Sequence, residues 1–249
     1  MPFTLAHPVA VLPFARCRRC HFPALVIGSL APDFVYSLHG RPVAGGHGLA
    51  DMLWPNLPLC LVFYWLYLAL WRGALREYLP DCLNAAPGRL PENRAEPHSR
   101  REAGRAALAV WRELGCFIPC ALFGMATHLL LDAFTHPTGW FVQQFACLRQ
   151  TVWLFPLFKW LQYGGGVFGV AACLLFVGCA ARRPYRSPRS AAQKGRFWAA
   201  CAVLSLLGFA AWQGAAPLPP GHVATQVIRL IDCAVLGFSA LCLWRWSGN

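Results

Sequence analysis

The sequence predicts an all-α polytopic membrane protein, a helical bundle of about five full spans preceded by two shorter N-terminal helices. Of its 249 residues 57% are hydrophobic and 13% charged, about half the charge that soluble domains carry. Five apolar runs, residues 52–71, 114–134, 164–181, 197–216 and 224–244, approach the ~20 residues that cross a hydrocarbon core. The basic residues are also distributed unevenly. With the N-terminus outside, seven segments place eighteen Lys and Arg on the inner side. Only Arg41, Arg149 and Lys159 lie on the outer side, with Arg229 inside the last span. That is the positive-inside asymmetry.

Residues 2–15 and 22–38 flank a basic tip, Arg16-Cys17-Arg18-Arg19. Fourteen α-helical residues reach only about 21 Å, so the first stretch is expected to insert partially or re-enter. The N-terminus has neither the basic region nor the cleavage site of a signal peptide, and is expected to be retained. Pro55 and Pro58 in the run 52–71 suit a helix start at the interface better than mid-helix. Residues 72–113, rich in Arg, Glu and Pro, are expected as a polar, solvated cytoplasmic loop. Residues 182–196 are expected as a basic cytoplasmic loop. Between residues 141 and 163, Phe145, Leu148, Val152, Phe155, Phe158, Trp160 and Tyr163 predict an amphipathic element at headgroup depth. The whole chain, 1–249, is expected as one integral membrane domain.

The net charge of +12 is accounted for by cytoplasmic loops, so the lipid bilayer and not nucleic acid is the expected partner. Half of the twelve cysteines (Cys60, Cys173, Cys179, Cys201, Cys233 and Cys242) sit in apolar runs as small hydrophobes, unlike a disulfide framework.

The densest polar signal is Thr127-His128-Leu129-Leu130-Leu131-Asp132-Ala133-Phe134-Thr135-His136-Pro137-Thr138-Gly139-Trp140. His128 and Asp132 are one helical turn apart on one face. His136 extends that face to the helix end, because Pro137 disfavours α geometry in the residue before it. An imidazole and a carboxylate at this spacing can hold a divalent ion. The same pair can also stitch helices by a hydrogen bond; ionisable groups within a span favour function. The threading brings His7, Asp33 and His47 to the same outer depth as His128, Asp132 and His136. Six such residues suffice for two ions, each with a position open to water.

Three blocks, Met1-Pro2-Phe3-Thr4-Leu5-Ala6-His7-Pro8, Gly28-Ser29-Leu30-Ala31-Pro32-Asp33 and 127–140, resemble the bacterial family called domain of unknown function 4184. That family is similar to inner-membrane metal-dependent hydrolases, and more distantly to zinc-dependent phospholipase C enzymes. The resemblance implies a multi-pass protein of the bacterial inner membrane with His7, Asp33, His47, His128, Asp132 and His136 as ligands of a divalent metal, zinc foremost. The chain departs from the phospholipase pattern in lacking a later His-x-x-x-Glu; its His98 and Glu102 precede the motif.

Cys17-Arg18-Arg19-Cys20-His21 matches c-type haem attachment, but the basic residues place this tip inside, where a thiol pair is expected. Arg229 and Asp232, three apart in the last span, can pair with each other, as a structural ion pair or in a role that supports the site. Gly165-x-x-x-Gly169 permits close helix packing. The expected function is metal-dependent hydrolysis at the outer face of the membrane, of a phosphoester or lipid ester, with Asp33 or Asp132 bridging ions or serving as base. The alternative is a non-enzymatic transporter or assembly factor whose His/Asp cluster is structural or binds an ion.

Overall fold

The computed structural model describes residues 4–84, 100–180, 187–219 and 221–247. Arg89, Arg94, His98, Arg182, Arg183 and Arg186, placed by sequence in the inner loops, lie outside them. Ten α-helices are described: α1 (Phe22–Leu30), α2 (Phe34–His39), α3 (Asn56–Leu66), α4 (Arg72–Tyr78), α5 (Arg100–Thr135), α6 (Trp140–Gln144), α7 (Ala146–Arg149), α8 (Leu157–Ala180), α9 (Ala191–Ala215) and α10 (Val223–Ser247). A two-stranded ladder, β1 (Thr151–Val152) with antiparallel β2 (Phe155–Pro156), is the sheet among them. The protein is an all-α membrane bundle. Five helical runs are long and apolar enough to cross a bilayer: Ala50–Tyr78, Arg112–Gln144, Leu157–Cys179, Ala191–Ala215 and Val223–Arg245.

The element starts and stops follow local chemistry. Pro58 falls in the first turn of α3, where a missing N–H costs nothing. The side chain of Ser190 accepts from Gln193 N while that of Gln193 accepts from Ser190 N, a capping box that starts α9. Consequently residues 191–196, expected in the basic loop, are helical. The expected polar loop 72–113 is likewise helical at both ends, in α4 and in the first turns of α5.

Two further stretches take a more detailed form than the sequence gives. Thr4–Arg16 is a 3-10 helix containing Pro8 and Pro13; prolines disrupt α-helical bonding, and 3-10 geometry extends thirteen residues to about 26 Å. The interfacial stretch is broken into α6, α7 and the β1–β2 turn. Arg149 donates to the Val142 and Gln143 carbonyls at 2.6 Å each, tying α7 to α6. Trp153 and Leu154, at the turn, are 90% and 79% exposed, so this stretch does present large apolar side chains outward.

Contacts gather the chain into two compact units. The first comprises residues 1–32, 47–60 and 87–176. Its centre is the pairing of α1 with α5, where Gly28 and Gly124 let two backbones touch. A Cβ on Gly28 would lie 2.2 Å from the Ala121 carbonyl oxygen, and one on Gly124 would lie 2.3 Å from that of Leu25. Small residues at such crossings allow close van der Waals packing where no hydrophobic force joins helices. Gly169 of α8 makes a similar approach to Ala6, as the Gly-x-x-x-Gly spacing predicts.

The second unit comprises residues 33–46, 61–86 and 177–249, and α9 and α10 form its main pair. At one end Tyr78 stacks on Phe197 with ring centroids 4.1 Å apart. Glu77 pairs with Arg189 and Arg245, and Asp81 with Lys194. Arg189 just before α9 and Lys194 in its first turn are therefore held by acids at and just beyond the end of α4. The Arg229–Asp232 pair that the spacing permits does not form. Arg229 donates instead to Gln213 and the Ala216 carbonyl at 2.6 Å each, closing the C-terminus of α9, and lies over the Trp212 ring. With Arg41 and His222 it lines a cavity of about 610 Å³.

Candidate metal centre

Four imidazoles surround one carboxylate in the first unit. His7 Nε2 is 3.7 Å from Asp132 Oδ1, and His136 Nδ1 is 3.3 Å from the same oxygen. His47 Nε2 and His128 Nε2 are 3.5 and 3.3 Å from Oδ2. His7 and His128 are fully buried and stacked, with ring centroids 3.6 Å apart. His47 and His136 are partly exposed, at 28% and 35%, so the cluster opens on one side. Counted along α5, Asp132 is about 30 Å from Arg112, a full hydrocarbon thickness.

The neighbouring helix end orients His128. Beyond Leu30 the backbone tightens to a 3-10 turn, Ala31–Asp33, and Ala31 N–H donates to the Gly28 carbonyl. The next such donor would be Pro32, which has no N–H. The Ser29 carbonyl therefore has a lone pair to spare, and it lies 2.7 Å from His128 Nδ1. A carbonyl can only accept, so Nδ1 carries a proton; in the neutral ring Nε2 then offers a lone pair to Asp132, and in the protonated ring Nε2 donates to it. In the neutral form, two electron-rich atoms 3.3 Å apart call for a cation or proton between them.

His136 has the other tautomer. Lys159 donates to Gln162 Oε1 at 3.0 Å, which turns the Gln162 amide nitrogen toward His136 Nε2 at 3.2 Å. Nε2 accepts, so a neutral His136 carries its proton on Nδ1 and donates toward Asp132 Oδ1. The position of His136 follows from a sharp exit. Its N–H still donates to the Asp132 carbonyl, and its own carbonyl accepts from Gly139 N at 2.8 Å. A Cβ on Gly139 would lie 2.4 Å from the Ala133 carbonyl oxygen, so this turn needs glycine.

Five of the six residues singled out in the sequence belong to the first unit and meet around Asp132. His7, His128 and Asp132 offer atoms within 4.8 Å of one another and could hold a metal ion. The sixth, Asp33, ends the 3-10 turn after Pro32, half-buried, as the first residue of the second unit. Sequence reading missed Gln162 and Ser29. Buried Gln162, three residues after Lys159 in an apolar helix, carried the signal of a polar group inside a span; a backbone carbonyl carries none.

The other histidine motif is at the basic tip. Cys20 hydrogen-bonds to Cys17, which holds the Cys17 thiol below its ordinary value; that same bond, with burial, pushes Cys20 up to about 11. His21 Nδ1 accepts from Ala24 N at 3.1 Å and so caps α1. Its Nε2 then bears the proton, the wrong tautomer for a haem ligand.

A family model described as a domain of unknown function (DUF4184) matches residues 1–245. The chain belongs to this family. No curated protein and no solved structure matches it. It is therefore a multi-pass membrane member of that family, carrying a His/Asp group able to hold a metal ion.

Proposed function

We infer that this family member is a metal-dependent hydrolase of the bacterial inner membrane, acting at its outer face on a phosphoester or lipid ester. The observation that carries the reading is the donor set. The Ser29 carbonyl holds His128 Nδ1 and turns Nε2 toward Asp132 Oδ2 at 3.3 Å, and His7 adds a second buried ring. Such a set suits zinc, which imidazole and carboxylate ligate. When bound, such an ion polarises an ester or phosphoryl oxygen and makes water a better nucleophile at neutral pH.

The residues divide the work. His7, His128 and Asp132 hold the ion, and His47 completes the set from its loop on the open side. His136 contacts Asp132 and is itself held by Gln162; it serves as a positioning residue that orients the carboxylate. This orienting role stands beside the ligand role that the family resemblance implies for His136. Asp33 remains the second carboxylate, ligand or base, on the strength of the sequence pattern. The outer-face location rests on the split of basic residues, and the substrate class on that location.

A structural role is the rival reading, and the tight His7–His128 stack favours it. Metal analysis of the full-length protein purified in detergent separates the two. The hydrolase reading expects near-stoichiometric divalent metal, lost in His128→Ala and Asp132→Asn, together with water-dependent cleavage of ester-bearing lipids in vesicles. Correctly folded wild-type protein that takes up no zinc ends it. Metal that cannot exchange, without hydrolysis, selects the structural role.

A further inference from the structure

The first unit also brings two pairs of cysteines together, remote from the His/Asp group. Cys17 and Cys20 flank a turn closed by Cys20 N–H donating to the Cys17 carbonyl at 3.2 Å. Cys116 and Cys120 are one turn apart on α5, so they share a face. Two hydrogen bonds spanning almost 100 residues of sequence join the pairs. His21 N–H donates to Cys120 Sγ at 3.3 Å, and the Cys116 thiol donates to the Arg19 carbonyl at 3.4 Å. Along α5, Cys120 and Cys116 lie about 18 and 24 Å from Asp132, toward the end that carries Arg112.

We propose that Cys17, Cys20, Cys116 and Cys120 form a tetrathiolate site for a soft d10 cation, zinc or cuprous copper. Both spacings, Cys-x2-Cys and Cys-x3-Cys, fall within those of structural zinc sites, and thiolates select this class of ion. The surroundings suit the negative charge of four thiolates: a backbone N–H already points at Cys120 Sγ, and Arg18 and Arg19 lie within the turn. Binding displaces the thiol protons to solvent. Cys17 and Cys116 are exposed, so their side chains can rotate to close the tetrahedron. His21 is not a fifth ligand, because its Nδ1 is engaged by Ala24 N–H. A dithiol exchange site would need only the Cys17–Cys20 pair and gives no role to the two thiols brought to it by α5. An ion here would clamp the turn before α1 to the start of the α5 span, the helix pair on which the His/Asp group is built.

The test is cobalt loading of the reduced, full-length protein in detergent. A tetrathiolate gives intense thiolate-to-cobalt charge-transfer bands together with tetrahedral d–d bands; a His/Asp site gives no thiolate band. The expected result is a near-stoichiometric thiolate spectrum that persists in His128→Ala, is bleached by zinc, and is lost in Cys17→Ser and Cys116→Ser. Both serine variants replace exposed thiols, and circular dichroism verifies their helicity. The proposal is overturned if the reduced wild type gives no charge-transfer band, or if the band survives both serine substitutions. Recovery of a Cys17–Cys20 disulfide under the same reducing conditions also overturns it. Because His128→Ala abolishes only the other site, failure here is distinguishable from failure of the hydrolase reading.

Discussion

Gly124→Ala tests the chain of cause from helix packing to metal affinity. The added Cβ would sit 2.3 Å from the Leu25 carbonyl oxygen and 2.8 Å from Ser29 N, whereas ordinary contact begins at 3.4 Å. Both obstacles are backbone, so α1 must retreat by about 1 Å, since packed interiors do not absorb such an overlap locally. Overpacking of this kind costs about 1–3 kcal/mol, offset by about 0.5–1 kcal/mol from replacing a helical glycine with alanine. The retreat also carries the Ser29 carbonyl away from His128 Nδ1. Starting from 2.7 Å, the separation becomes about 3.7 Å, too long for a hydrogen bond. Losing a partner that fixes a ligand's tautomer costs about 10–100-fold in metal affinity. Chelator-competition titration on the detergent-purified protein should show that loss, with helicity retained and a lower melting temperature. Gly115→Ala on the same helix is the control, because its Cβ meets nothing within 4 Å. A Gly124→Ala protein that binds metal as tightly and melts as high as wild type would refute the reasoning.

Gln162→Leu removes the donor to His136 Nε2 while keeping side-chain bulk. His136 is partly exposed, so the loss should be about that of one ordinary hydrogen bond, ~1 kcal/mol, and chelator competition should show weaker metal binding with His7 and His128 undisturbed. If affinity is unchanged, His136 has no orienting role. Glu77→Gln removes the carboxylate shared by Arg189 and Arg245. Because the group is partly exposed, the loss should be about 1 kcal/mol and should shrink at high salt. A melting temperature insensitive to both the substitution and salt would show that these pairs contribute nothing.

Much of the site was legible in the sequence because its signals are local. His128 and Asp132 share a face by helical periodicity alone, and Pro137 marks where that face ends; the 3.3 Å contacts on either side of Asp132 follow from those two facts. Pro58 at a helix start and Ser190 with Gln193 at another are equally local. Arg229 and Asp232 show where locality fails. Their spacing permits a pair, but α9 ends beside Arg229 and offers Gln213 and the Ala216 carbonyl instead.

By itself, then, the sequence determined the all-helical membrane class, the five spans and the residue types of the candidate site, since apolar run length and short-range spacing encode them directly. Tertiary structure alone decided which nitrogen of each histidine faces Asp132, that Lys159 and Gln162 stand behind His136, and that Cys116 and Cys120 meet the Cys17–Cys20 turn. Those outcomes depend on a backbone crossing at Gly28 and Gly124 and on carbonyls left available where helices end. A carbonyl is present in every residue, so only the path of the chain can reveal which one a side chain will meet.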